Sequence, residues 1–274
     1  MVDLLLLGGA GEAAQIAETL AGDRELCVVT SLAGRTRDPR HLPGHVRIGG
    51  FGGPEGLGRY LDMHRVKWVI DATHPFSSQI SHHARLACER ASVPRIQLWR
   101  PGWTARPGAT WIDVASVADV VPALAGLPRR PRKVLLTIGG RGLEPLSEAP
   151  HIHWIVRLVE APAVPLALPR HEVVTARGPF RYEDELALMR AHGIDGLVTK
   201  NSGGQATRAK LDAARTLDLP LIAIARPPPE PGEVATDVAS ALAWLERWRS
   251  RSAATPSIRR TTRGAPAGAR PRRR

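Results

Sequence analysis

Short apolar runs alternate with amphipathic stretches from one end of the chain almost to the other. Leu4-Leu5-Leu6-Leu7 is apolar at every position and stops at a glycine-rich turn. Such a run marks a strand buried on both faces of a sheet. A helix is predicted over 12–20, a second strand over 26–30 and a short third strand over 46–48. A helix near 56–63 leads to the strand Trp68-Val69-Ile70-Asp71, and a helix near 79–90 leads to Arg95-Ile96-Gln97-Leu98. The polar, proline-rich stretch Leu127-Pro128-Arg129-Arg130-Pro131-Arg132 reads as an inter-domain linker. The pattern then restarts with a strand over 133–138 and a second glycine turn, Gly139-Gly140-Arg141-Gly142. A strand over 196–199, a helix over 206–217, a strand over 221–224 and a last helix over 237–248 complete it.

Alternation of this kind predicts parallel sheets covered by helices on both faces. The expected architecture is α/β, with two Rossmann-like parallel-sheet domains and a cleft between them. Their expected extents are 1–127 and 132–248, and 249–274 forms a disordered tail. The similar layout of the two halves suggests an internal duplication.

Charge changes the picture only at one end. The chain of 274 residues has a formal net charge of +12, and nine arginines with no acidic residue lie within 249–274. The remainder is close to neutral, so the basic balance does not make this a nucleic-acid-binding domain. No apolar run approaches the roughly 18 residues that would span a bilayer. The N-terminus lacks the basic region of a secretory signal and is broken early by glycines. Cys27 and Cys88 are too few for a disulfide framework or a cysteine metal cluster, and reduced thiols in a cytoplasmic protein are expected. His82-His83 and His151-x-His153 have no supporting carboxylate or cysteine pattern, so no metal is expected.

Gly9-Ala10-Gly11-Glu12-Ala13-Ala14 fits the pattern G-x-G-x-x-G/A directly after a strand. Gly9 permits the tight turn, Gly11 lets the backbone approach a pyrophosphate, and Ala14 allows close helix–strand packing. Amides at the helix start then face the anion. An NAD site usually has Asp or Glu at the end of the second strand. Here that region reads Thr30-Ser31-Leu32-Ala33-Gly34-Arg35-Thr36, with no acid. Ser31, Arg35 and Thr36 would accept a 2′-phosphate that a carboxylate would repel, which argues for NADPH.

Ligands of parallel sheets collect at the carboxyl ends of strands. Three polar loops lie there: Asp71-Ala72-Thr73-His74-Pro75-Phe76, Gly139-Gly140-Arg141-Gly142 and Thr199-Lys200-Asn201-Ser202-Gly203-Gly204. Asp71, His74 and Lys200 at equivalent strand ends point to a ligand site. Trp99, Trp103 and Trp111 are expected in the core or at the domain interface. There is no P-loop and no Tyr-x-x-x-Lys pair, which excludes nucleotide hydrolysis and short-chain dehydrogenase chemistry. The residues alone leave open a reductase of some other polyanionic metabolite and a non-catalytic dinucleotide sensor.

Taken together, the motifs resemble those of the precorrin-6A reductases of cobalamin biosynthesis. The resemblance rests on the 6–12 and 30–36 segments, Ile48-Gly49-Gly50-Phe51-Gly52-Gly53, the 71–76 loop, Arg177-Gly178-Pro179-Phe180, the 199–204 loop and Lys210-Leu211-Asp212-Ala213-Ala214-Arg215. It implies NADPH-dependent reduction of a C=C bond in the precorrin-6A macrocycle, and domains that exchange a strand. It further implies a tetrapyrrole as the partner, with no membrane and no specific nucleic acid, and a monomer or weak homodimer. The cofactor would lie on Gly9, Ala10, Gly11, Glu12, Ser31, Arg35 and Thr36. The macrocycle's carboxylates would meet Thr73, Arg141, Arg177, Lys200, Asn201, Ser202 and Gly203, with Asp71 and His74 as candidate proton donors or polarising groups.

Overall fold

The computed structural model describes residues 1–34 and 41–254. The first half folds as β1 (Leu4–Leu7), α1 (Gly11–Leu20), β2 (Val28–Leu32), β3 (His45–Ile48), α2 (Gly53–His64), β4 (Trp68–Asp71), α3 (Ser78–Ala91) and β5 (Arg95–Leu98). There follow β6 (Trp111–Val114), α4 (Val120–Ala125), β7 (Lys133–Thr137), β8 (His153–Leu158), β9 (His171–Thr175), α5 (Tyr182–Ala191), β10 (Gly196–Lys200), α6 (Ala209–Thr216) and β11 (Leu221–Ile224). The chain closes with β12 (Glu233–Ala235) and α7 (Val238–Ala254).

Two six-stranded sheets result, in the orders β12-β5-β4-β1-β2-β3 and β6-β11-β10-β7-β8-β9. Every strand pair is parallel. All four leucines of β1 are buried, as a central strand with helices on both faces requires. Each sheet has two apolar layers, one per face.

The two orders superimpose if β1 to β5 match β7 to β11, and the sixth strand in each case comes from the other half. β6 follows β5 in the chain yet pairs with β11, and β12 follows β11 yet pairs with β5. The strand exchange implied by the family resemblance is therefore present. It also revises the expected boundaries. Leu127 is packed in the second lobe's core with Val114, Val120 and Leu124. The 127–132 stretch is a loop within that lobe, where the Arg132 amide donates to Asp195 at 3.0 Å. The chain passes between lobes at 99–110 and again at 225–232. Nor does 249–274 separate at Trp248, because α7 continues to Ala254 and Arg249 binds Asp23 beyond α1 at 2.6 Å. The rest of that tail, 255–274, lies outside the described residues.

The order reverses between β1 and β4 in one sheet and between β7 and β10 in the other. These are the switch points where doubly wound sheets open a crevice at their carboxyl edge. Register places Leu7 level with Ser31 and with Asp71 on one edge, and Thr137 level with Thr199 on the other.

Candidate active site

At the first edge, Gly8 packs tightly against β2: a Cβ there would lie 3.0 Å from the Leu32 side chain. Gly9 has φ of +137°, which only glycine adopts freely. A Cβ on Gly9 or Gly11 would meet nothing within 4 Å, so the backbone borders open space. Ala10, the residue before α1, offers no side-chain cap to the helix amides. Ala13 and Ala14 are buried against the sheet, as close helix packing demands. A diphosphate fits this cradle: space above the glycines, uncapped amides and the positive helix end converge there.

Next to the turn, the β2 end places Ser31 beside Arg47 of β3. Arg35 and Thr36, expected here, lie outside the described residues.

The loop after β4 looks different from its sequence. Asp71 is fully enclosed. Its Oδ1 accepts from the Thr73 amide at 3.2 Å and the Thr73 hydroxyl at 2.7 Å, while Oδ2 lies 3.9 Å from Arg95 Nη1. The Thr73 hydroxyl also meets Ser81 of α3 at 3.2 Å. Asp71 and Thr73 therefore shape the loop from beneath. His74 is half-buried, and its Nδ1 accepts from the Phe76 amide at 3.3 Å. Phe76 reaches across to pack on the second lobe's core, and the Lys200 ammonium lies 5.2 Å from its ring centre.

The 199–204 loop also serves the architecture. Asn201 grips the crossing segment twice: Oδ1 accepts from the Trp103 amide at 2.8 Å, and Nδ2 donates to the Trp103 carbonyl at 3.0 Å. Trp103 Nε1 donates to the Gly204 carbonyl at 3.1 Å. Gly203, at φ +65°, sits so close that a Cβ would come within 2.1 Å of the Pro101 carbonyl oxygen. The Ser202 side chain is buried, and its carbonyl accepts from Arg100 Nε at 2.8 Å. Asn201, Ser202 and Gly203 thus form a clasp between this loop and the crossing segment. The remaining cations lie at or just after strand ends. Arg141 follows β7 and is exposed, Lys200 ends β10, and Arg177 follows β9, where it pairs with Glu160 at 3.5 Å.

The decisive residue of the clasp is Arg100. Besides Ser202, it binds Glu12 of the glycine turn at 2.5 Å. Its carbonyl accepts from Arg226, which lies on the second crossing and over the Trp99 ring. Both crossings and both carboxyl edges therefore meet at one residue. Sequence reasoning expected Trp103 in the core or at the domain interface but missed Arg100, since nothing local distinguishes it from a surface arginine.

Behind the clasp lies a buried charge cluster that sequence reasoning also missed. Arg157 in β8 pairs with Glu185 of α5 at 2.5 Å and lies over Phe180. Lys210 of α6 sits 5.3 Å from the Trp103 ring centre. Burial pushes its ammonium down to about 7, Arg157 adds to this, and Glu185 opposes it. An unfolded lysine keeps its proton to about pH 10.4, so between about pH 7 and 10 the unfolded chain binds more protons. Stability should then rise with pH across that window, by at most about 1.4 kcal/mol per unit. Lys210→Met should flatten this slope and stabilise the protein at pH 7 by about 1–3 kcal/mol. Urea unfolding at pH 7 and pH 9 reads both effects.

Paired parallel sheets of matching order, joined edge to edge by exchanged strands, define a doubly wound protein of the Rossmann-like class. The chain belongs to the precorrin-6x reductase CbiJ/CobK family, whose model matches residues 3–246. It is 47% identical over 247 residues to the precorrin-6A reductase of Rhodococcus erythropolis, covering 89% of this chain and 98% of that one. A solved structure of CobK precorrin-6A reductase matches with a TM-score of 0.84 at 43% identity, over 90% of this chain and 97% of that one. The cobalt-precorrin-6A reductase of Synechocystis is more distant, at 30% identity over 90% of this chain and 98% of its own length.

Proposed function

We propose that this chain reduces one C=C bond of precorrin-6A with NADPH, giving precorrin-6B in cobalamin biosynthesis. The observation that carries the reading is the pairing of edges: an anion-accepting glycine turn on one lobe meets a cation-bearing strand edge on the other. Gly9, Ala10 and Gly11 would hold the pyrophosphate through backbone amides, with Ser31 toward the adenosine ribose. The nicotinamide, when bound, supplies the hydride. Arg141, Arg177 and Lys200 bind the acetate and propionate carboxylates of the macrocycle and fix its orientation. The greater identity to precorrin-6A than to cobalt-precorrin-6A reductases favours a cobalt-free substrate. Two unpaired cysteines and the lack, among the described residues, of any helix able to cross a membrane fit a cytoplasmic enzyme.

The carbon next to the hydride acceptor needs a proton, and His74, once charged as the imidazolium, is the group of this chain that would deliver it and return to the neutral ring. General acids of this kind contribute about 10²- to 10⁴-fold. His74→Ala should therefore lower kcat by at least about 100-fold; unchanged turnover would assign the proton to water. The reading as a whole is tested by following absorbance of purified precorrin-6A with NADPH or NADH. Consumption of NADPH in step with loss of the precorrin-6A spectrum is expected, and binding without turnover would overturn it.

A further inference from the structure

The β2 end carries no carboxylate to hold a ribose 2′-hydroxyl, yet it is not empty of recognition chemistry. Arg47 in β3 is the register partner of Ser31. Its Nη1 lies 3.5 Å from Ser31 Oγ and 2.5 Å from the Gly49 carbonyl, and its Nη2 donates to the Gly50 carbonyl at 2.7 Å. The guanidinium carbon stands 3.9 Å from the Phe51 ring centre and 5.5 Å from that of Tyr60. Neutral acceptors and aromatic faces thus hold the group, and none of them cancels its charge. Among the described residues no carboxylate pairs with it. A guanidinium has five N–H donors, of which three are directed at these acceptors, so two remain for a ligand. The side chain is only half-buried.

In doubly wound sheets the pyrophosphate at the first turn directs the adenosine across the end of β2. That places the 2′ position over Ser31. We propose that Arg47, with the Ser31 hydroxyl, recognises the 2′-phosphate and so sets the preference for NADPH over NADH. The inference rests on the NADPH reading above and names the residue that enforces it. A fixed, planar fork suits a phosphate monoester dianion, and a pre-held guanidinium loses little freedom on binding it.

The alternative role for Arg47 is purely to brace the Gly49-Gly50 turn, and binding measurements separate the two. Nicotinamide fluorescence of the full chain is titrated with NADPH and with NADH, in the absence of macrocycle, for the wild type, Arg47→Ala and Arg47→Lys. Wild type should bind NADPH more tightly. Arg47→Ala should weaken NADPH by about 10- to 100-fold and leave NADH within about twofold. Arg47→Lys keeps the charge without the fork and should fall between, which decides the matter if the alanine variant does not fold. Equal weakening of both cofactors, or retained preference in both variants, would overturn the role of Arg47 while leaving the NADPH reading intact. A wild type that binds both alike would overturn the NADPH reading itself.

Discussion

Replacing Arg100 by alanine should lower kcat/KM for the macrocycle about 100-fold, although the residue touches neither hydride donor nor acceptor. One guanidinium spans Glu12 on the cofactor turn and the Ser202 carbonyl on the opposite loop, at 2.5 and 2.8 Å. Its removal frees the two edges to shift, and a displacement of about 1 Å between reacting groups is enough for an effect of this size. It also leaves the Glu12 carboxylate unpaired beside the turn proposed to hold the diphosphate, so cofactor affinity should fall as well. Lysine should not restore function, because a single ammonium cannot reproduce two divergent donors. Glu12→Gln in the Arg100→Ala background should recover part of the cofactor affinity but not the alignment. Steady-state kinetics and cofactor titration on the single and double variants read both components. Wild-type kcat/KM in Arg100→Ala would show that the lobes are aligned without the clasp.

Gly11→Ala should separate stability from binding. The position opens α1, and an added Cβ would meet no protein atom within 4 Å. Alanine also removes the backbone entropy cost of glycine in a helix, so the thermal midpoint of the ligand-free protein should hold or rise slightly. The same methyl group would enter the space through which a pyrophosphate approaches the amides. Loss of one charge-assisted contact is worth about 1.5–3 kcal/mol, so cofactor affinity should fall about 10- to 100-fold. A variant that binds the dinucleotide normally would place the cofactor elsewhere.

Much of this architecture was readable because it rests on local signals. Leu4–Leu7 and the turn after it announce a central strand and a glycine turn by composition and spacing alone. What escaped was non-local. β6 and β12 are four and three residues long and carry almost no pattern, so their exchange cannot be read from periodicity. The polar 127–132 loop looks like a linker because a surface loop and a linker have the same composition. The partners of polar residues at strand ends are hidden for a related reason. Asp71 and Asn201 have the chemistry of ligand-binding groups, and only their partners reveal that one is buried on Thr73 and the other holds Trp103, 98 residues away. Arg141 and Arg177 follow β7 and β9, and Lys200 ends β10.

The most direct test is a crystal structure of the full chain with NADPH. The diphosphate should lie against Gly9 to Ala14, the adenosine should cross the end of β2, and the nicotinamide should point toward Lys200 in the cleft. A cofactor seated instead on the Gly139 to Gly142 turn of the other lobe would contradict the assignment of roles to the two halves.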